Sequence, residues 1–566
     1  MGTLFFLSIR RLRAPLVVLI TVLAFATAGF ALIPGVDAAG EPWRPTLFQA
    51  FYFVTYTATT IGFGELPYAF TDSQRLWVTV TIYLSVIGWA YLLGSLLGLM
   101  QDKGFQAALV MARFARAVRR LREPFYLLCG LGETGYMVAA ALDRMGQRFV
   151  ALDRDETRVA NLDLGSLVTD PPAMAGDVTS PETLRLAGLA RRECAGVLAL
   201  TADDRANVAI AVAARLLHPG MRMIARATTP EATAAMETCG VSEIINPYRE
   251  FAERLAIALR APDTHRLLLW LTGPTSAPLR PLVPAPPGRW IVGGYGRFGS
   301  EVTQTLKDAG YHVTVVDPDE PPTPSLRVVQ GLGSDNASLR EAGIDEASGL
   351  VAGSDDDVAN LAMAMAARKL RPGIFVILRQ NSVGNRRLFD AFRADMTMVP
   401  SEIVAHETLA ALRARHLTRF LGLVYANDNA WAAALVARLQ PLVEGAPDFW
   451  TPILGRRDAP GLLDAMARSS RAPTLGDLVR DPADRDRPLP AVPLLLMRRG
   501  RVIELPKPGE ALRTGDEILF AGPDWASRAM RETLLNANTA AYVLTGRAPT
   551  SLLGRLLERR RATAGT

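Results

Sequence analysis

The chain has 566 residues, of which 49% are hydrophobic and 21% charged, with a formal net charge of +6. Length alone allows about three to five domains, and so small a positive excess gives no reason to expect nucleic acid as a partner. Three scattered cysteines, Cys129, Cys194 and Cys239, argue against a disulfide frame or a CxxC zinc site, and five histidines without HExxH spacing argue against a metalloenzyme.

The first elements are apolar. Residues 14–33 run for 20 positions without a charge and residues 76–100 for 25, and about 20 apolar residues match a hydrocarbon core of about 30 Å. A cleaved signal peptide would be shorter and carry a stronger small-residue site than "PGVDAAGEPW". Arg10, Arg11 and Arg13 precede the first segment, and Lys103, Arg113, Arg116, Arg119, Arg120 and Arg122 follow the second. The connection holds four acids (Asp37, Glu41, Glu65, Asp72) against two arginines (Arg44, Arg75). Cationic flanks stay inside, so both ends are expected in the cytoplasm of a multi-pass protein of the inner (plasma) membrane.

The connection is itself partly apolar. "PTLFQAFYFVTYTATT" predicts a helix entered at Pro45. Residues 46–59 would span about 21 Å, enough to dip into a bilayer but not to cross it. "TTIGFG" follows. Irregular backbone at membrane depth is tolerated only inside protein or along a wet cavity. Gly62 and Gly64 permit angles closed to other residues, so that consecutive carbonyls can turn toward one axis. The order helix, dipping helix, T-x-G-F-G, helix resembles the potassium-channel pore. By that resemblance four copies form one pore, and Thr60, Ile61, Gly62, Phe63 and Gly64 form its selectivity filter. The carbonyls of Thr60, Ile61, Gly62 and Phe63, with the Thr60 hydroxyl, would bind K+. Phe63 stands where tyrosine is commoner, removing one hydroxyl anchor, and Glu65 stands where aspartate is commoner.

In the second long segment Gly88 is best placed for the gate hinge of this family, with close packing as the other reading; Gly94 and Gly98 read as packing positions in GxxxG spacing. No arginine-rich voltage-sensing helix is present.

A basic helical linker, 102–123, leads to a different architecture. "PFYLLCGLGETG" runs a strand into Gly130, Gly132 and Gly135, and "RFVALD" ends in Asp153, 23 residues after the first glycine. "RWIVGGYGRFG" repeats this with Gly294, Gly296 and Gly299, and Asp317 again lies 23 residues on. Glycines that bring a helix amino terminus to phosphates, with an acid for the ribose, predict a dinucleotide or adenine-nucleotide site. The stretches 200–220 and 353–373 match at an offset of 153, as do those starting at 246 and 399. A strand–helix domain is therefore duplicated in tandem, each copy a doubly wound parallel sheet.

Pore and repeat together resemble potassium channels with RCK (regulator of potassium conductance) domains. The resemblance implies a membrane pore of two transmembrane helices, pore helix and filter loop, fused to cytosolic α/β: two tandem Rossmann-like domains and a C-terminal α+β ligand-binding subdomain. The boundaries are 1–101 pore, 102–123 linker, 124–262 first Rossmann-like domain, 263–288 Pro-rich linker, 289–415 second Rossmann-like domain, 416–537 C-terminal subdomain and 538–566 basic tail. It further implies a homotetramer whose eight repeats ring the pore, with NAD(H) or ADP/ATP as regulatory ligand. No catalytic set accompanies the glycine loops, so an enzyme is not expected. An acid at Asp153 and Asp317 favours unphosphorylated ribose, although Arg154 beside Asp153 blurs the choice. Ca2+ is a ligand class of the family, and Asp203–Asp204 and Asp355–Asp357 are its candidates, with helix capping the competing reading. The other functional reading is a membrane-anchored nucleotide-binding regulator of a separate cation transporter.

Overall fold

The computed structural model describes residues 2–65, 67–163, 167–273, 279, 285–413, 416–468 and 472–546. The chain divides into two units, 1–122 and 123–566.

In the first unit α1 (Gly2–Leu32) and α3 (Asp72–Gln101) flank a short α2 (Leu47–Ala58), and α4 (Lys103–Arg120) follows. Among the described residues two helical stretches are long and apolar enough to cross a membrane, Leu12–Leu32 and Asp72–Gln101. Their outer faces expose Val17, Ile20, Phe25, Leu76, Tyr83 and Ile87, side chains that lipid would cover. α1 and α3 meet closely. The Trp77 indole donates to the Ala26 carbonyl at 3.1 Å, and a Cβ on Gly29 would lie 2.0 Å from the Trp77 ring.

α2 is seated by aromatic packing of Phe30 on Phe53 and Phe70, with centroids 4.4 and 5.1 Å away. Its start differs slightly from expectation. Thr46, not Pro45, opens the helix, in a capping box with Gln49, because a threonine oxygen can accept from a free amide of the first turn and proline has no side-chain acceptor. Gly88 is buried, and a Cβ there would come 3.2 Å from the Leu19 side chain, whereas Gly94 and Gly98 have nothing within 4 Å. Packing within the chain thus involves Gly88, whereas Gly94 and Gly98 face no other part of the same chain. α4 is capped by Asp102 and buries Phe114 and Val118.

The second unit contains the two repeats. The first sheet comprises β1 (Phe125–Cys129), β2 (Arg148–Asp153), β3 (Ala173–Ala175), β4 (Cys194–Ala199), β5 (Met223–Arg226) and β6 (Glu243–Ile245). The second comprises β7 (Arg289–Gly293), β8 (His312–Val316), β9 (Arg327–Val329), β10 (Ala347–Ala352), β11 (Phe375–Arg379) and β12 (Met396–Met398). The strand orders are β3-β2-β1-β4-β5-β6 and β9-β8-β7-β10-β11-β12, and every pairing is parallel. Central strands are apolar throughout because helices cover both faces; Leu127, Leu128, Val197, Ile291 and Val351 are all buried. The order reverses between β1 and β4, and between β7 and β10, which is where such sheets open a crevice for ligands.

The C-terminal subdomain is α+β. Its antiparallel sheet of β13 (Asp448–Trp450), β14 (Val492–Arg498), β15 (Arg501–Glu504) and β16 (Glu517–Gly522) has the order β13-β16-β14-β15. Two expected boundaries move. The linker expected at 263–288 begins instead with a helix, Pro262–Thr272, whose Leu267, Leu268, Trp270 and Leu271 share one core with Phe420, Leu435 and Leu495. The tail expected from 538 also begins as a helix, Ala537–Thr545, which buries Ala540, Val543 and Leu544. In both segments an apolar face found partners distant in sequence. Beyond Gly273, the Pro-rich linker, apart from Leu279 and residues 285–288, and the basic stretch 551–561 lie outside the described residues.

Candidate functional site

The segment expected to form the filter begins where α2 stops. The Ile61 amide reaches back to the Tyr56 carbonyl at 3.0 Å, and Thr60 donates to the Thr57 carbonyl at 3.1 Å. The backbone then alternates in hand: φ is +63° at Thr60, +65° at Gly62 and +90° at Gly64, whereas Ile61 and Phe63 are not left-handed. In an ordinary strand successive carbonyls alternate sides, but residues of alternating hand turn successive peptide groups the same way. Left-handed angles strain a threonine but not a glycine, so the cost at Thr60 is borne by the segment that Gly62 and Gly64 allow.

Two contacts brace this segment. The Tyr56 hydroxyl donates to the Gly64 carbonyl at 2.7 Å, with the Phe63 ring packed edge-on against Tyr56 at 5.4 Å. Sequence reasoning missed Tyr56; the only available signal was an unassigned tyrosine four residues before Thr60. Glu65 pairs with Arg75 at 3.0 Å and accepts from the Phe70 amide at 2.8 Å. The Arg75 hydrogen bond, then the amide, holds the Glu65 carboxyl below the ordinary carboxylate value.

The glycine loops sit at the carboxyl ends of β1 and β7. A Cβ on Gly135 would lie 1.8 Å from the Gly130 oxygen, and one on Gly299 would lie 1.8 Å from the Gly294 oxygen. The outer glycines are therefore needed by the loop itself. The middle ones are different. Gly132 has nothing closer than the Arg158 guanidinium at 3.8 Å, and Gly296 has nothing within 4 Å. Each is the N-cap of a twelve-residue helix and makes no side-chain cap bond, so helix amides remain available to an anion.

The two acids do more than end a strand. Asp153 is buried, accepts from the Leu131 amide at 2.5 Å and the Asp155 amide at 2.9 Å, and lies 3.7 Å from Arg158. Asp317 accepts from the amides of Tyr295 at 2.7 Å and of Asp319 and Glu320 at 3.0 Å. Each carboxylate ties its own glycine loop to the next strand, and about four lone-pair sites leave room for a ribose hydroxyl.

A cavity of about 530 Å³ opens at the first loop, lined by Gly130, Gly132 and Asp153 from the first repeat and by Arg379, Asn381 and Ser401 from the second. Glu133 crosses to the second repeat, accepting from Ser382, Val383 and Ser401. The second repeat's share of this site was not legible beforehand.

The acidic runs are engaged elsewhere. Asp203 and Asp356 cap helices, Asp204 accepts from Thr228 and Thr229, Asp357 accepts from Asn381, Ser382 and Asn385, and Asp355 pairs with Arg379. Among the described residues no group of three or more histidine, cysteine or carboxylate side chains is placed to hold a metal ion.

Two family models match the chain, over three segments. Residues 17–102 match an ion-channel domain, and residues 126–247 and 290–400 each match a TrkA-N domain. Potassium channel protein 1 of Methanocaldococcus jannaschii is 26% identical over 211 residues, 37% of this chain and 60% of the relative. The Trk system potassium uptake protein TrkA of Streptomyces coelicolor is 39% identical over 88 residues, 14% of this chain and 39% of the relative. The chain thus spans less than two thirds of these relatives. The solved GsuK channel is 16% identical, with 92% of this chain and 99% of that one covered at a TM-score of 0.49.

Proposed function

We propose that this chain, which belongs to the potassium-channel proteins that join an ion-channel domain to TrkA-N (RCK) domains, is a potassium channel gated by an adenine nucleotide. The observation that carries the reading is the alternating hand of Thr60 to Gly64 directly after a helix too short to cross a bilayer. One strand of carbonyls cannot surround an ion, so the pore is a homotetramer in a lipid bilayer, with four copies of Thr60, Ile61, Gly62 and Phe63 replacing the hydration shell of K+.

In this proposal the eight TrkA-N repeats of the tetramer form the cytosolic control ring. NAD(H) or ADP/ATP bound at Gly130, Gly132, Gly135 and Asp153, and at Gly294, Gly296, Gly299 and Asp317, acts only through a difference in affinity between ring shapes. The change reaches the pore through residues 102–123, with Gly88 as the hinge of α3. A relative whose name assigns it to potassium conduction, Potassium channel protein 1, supports the choice of ion.

The test is potassium flux from liposomes holding the purified full chain, with each adenine nucleotide present or absent. Flux of K+ in excess of Na+, altered by nucleotide and lost in Gly62→Ala, is expected. No K+ flux under any of these conditions would overturn the channel reading in favour of a regulator. Flux indifferent to every nucleotide would overturn the gating reading alone.

A further inference from the structure

The end of the pore module that its flanking charges place inside carries a helix used by neither the filter nor the glycine loops. α3 is uncharged up to Met100, and α4 starts three positions later at Lys103. The two are separate helices. At Asp102 ψ is +117°, outside the helical range, and the Asp102 carboxylate accepts from the Phe105 amide at 2.9 Å to begin α4 afresh. α4 nevertheless stays in contact with α1 and α3 and belongs to the membrane unit. It therefore starts at the level of the lipid headgroups without prolonging α3.

The faces of α4 differ. At 3.6 residues per turn, Phe105, Leu109, Ala112, Arg113, Arg116 and Arg120 fall within an arc of about 100°. The buried Phe114 and Val118 point the other way. On the first arc the three apolar residues are half-buried and the three arginines exposed. From Lys103 to Arg122 there are six basic residues and no acid. Among the described residues none of Arg113, Arg116 and Arg120 makes an ion pair. A helix built for water alone interleaves acids three or four positions from its bases. Here one face joins apolar side chains near the membrane end to a row of unpaired guanidinium groups, the composition of a helix that lies in a membrane interface.

On the membrane reading of residues 1–101, we propose that this face of α4 rests on the inner leaflet, where Arg113, Arg116 and Arg120 hold the phosphates of anionic lipid headgroups. Guanidinium forks match phosphate oxygens, and each basic residue close to an anionic surface adds to the attachment. An acidic protein surface carries the same charge, but the bilayer already lies beside the residue at which α4 begins. The attachment makes lipid a regulator as well. In the gating reading above, the pull on the pore passes through residues 102–123 and must move a helix held to the leaflet. Lipid charge then enters the gating equilibrium to the extent that the attachment differs between open and closed states.

The test is native mass spectrometry of the purified full chain titrated with phosphatidylglycerol or phosphatidylcholine. Phosphatidylglycerol should be retained at least about tenfold more tightly, with the preference falling as salt rises. The combined variant Arg113→Gln, Arg116→Gln, Arg120→Gln should bring the two lipids to within about threefold of each other and keep its Tm in lipid-free detergent. Arg113→Lys, Arg116→Lys, Arg120→Lys should keep most of the preference, because the charge remains. No preference in the unaltered chain, or a preference undiminished in the glutamine variant, would overturn the inference. A lower Tm of the glutamine variant without lipid would place the face against an acidic protein surface and overturn it equally. In liposomes, adding phosphatidylglycerol to phosphatidylcholine should change K+ flux at least about threefold in the unaltered chain and not in the glutamine variant. Equal flux in both lipids would overturn the regulatory role. No flux in any vesicle would count against the channel reading alone, since lipid retention is measured without it.

Discussion

Arg254 and Glu407 occupy the same position in the two repeats, 153 residues apart, and their side chains pair with each other. They lie on equivalent helices, Pro247–Arg260 and Pro400–Arg413, that pack across the repeat boundary. If two identical domains met this way about a two-fold axis, the position would face its own copy and bring like charges together. Duplication within one chain allows the two copies to diverge, and here they hold opposite charges, with 7% and 18% of the side chains exposed.

Removing one partner should therefore cost more than a surface pair would. Arg254→Met or Glu407→Met alone is expected to destabilise the second unit by about 3–5 kcal/mol, whereas the double variant should recover most of that loss. Thermal unfolding of the purified chain measures it. Equal Tm values for all four proteins would show that the pair contributes nothing to the joint.

Glu250 lies on the same face and makes the joint pH-sensitive. Burial, then the neighbouring Glu407 and Glu253, outweighs Arg254 and Arg249 and raises its carboxyl from 4.5 to about 7. The folded state therefore holds a proton that the unfolded state releases at lower pH. Stability from this group is complete below about pH 4.5 and is lost as pH rises through about 7, a change on the order of 1–3 kcal/mol. Glu250→Gln should flatten that part of the profile. An unaltered slope in the variant would place the titration elsewhere.

Tyr56→Phe should leave the helices in place and loosen the filter. The lost bond to the Gly64 carbonyl has a net value of about 1 kcal/mol. The expected result in bilayer recordings is a K+ over Na+ permeability ratio several-fold lower, without loss of conductance. An unchanged ratio would mean that the four-fold assembly holds Gly64 by other means.

The glycines of the first loop should separate folding from binding. Gly135→Ala forces a methyl group against the Gly130 carbonyl and is expected to lower Tm and abolish nucleotide binding together. Gly132→Ala has room in the folded chain and should keep Tm while weakening nucleotide affinity. A loss of Tm in Gly132→Ala would mean that the middle glycine is needed by the fold and not by the ligand.

The second repeat should answer independently. Asp317→Asn keeps the size of the side chain that braces Tyr295, Asp319 and Glu320 but removes its charge. It is expected to leave binding at the first loop unchanged, as measured by the stoichiometry and affinity of ADP. A loss at the first loop would show that the repeats are coupled through their shared boundary.

What was legible in the chain itself was local or periodic. Two uncharged stretches announced the membrane helices because bilayer thickness sets a length. The spacing of Gly130, Gly132, Gly135 and Asp153, met again at Gly294, Gly296, Gly299 and Asp317, announced strand–loop–helix units because only glycine fits the outer positions of that turn. The offset of 153 announced the duplication. Helix boundaries were less legible where caps and packing set them: Thr46 took the role assigned to Pro45, and the helices Pro262–Thr272 and Ala537–Thr545 replaced expected linker and tail.

The composition of segments and the spacing of glycines thus determined the kind of protein: a membrane pore module ahead of two nucleotide-type domains. Tertiary structure alone decided that Tyr56 holds Gly64, that Arg254 faces Glu407, and that Arg226 and Arg379 open onto one cavity. The reason is physical. A helix or a glycine turn is dictated by neighbours within a few residues, whereas the two arginines, 153 positions apart, are brought together only when two sheets pack, and nothing in the local sequence of either records the other.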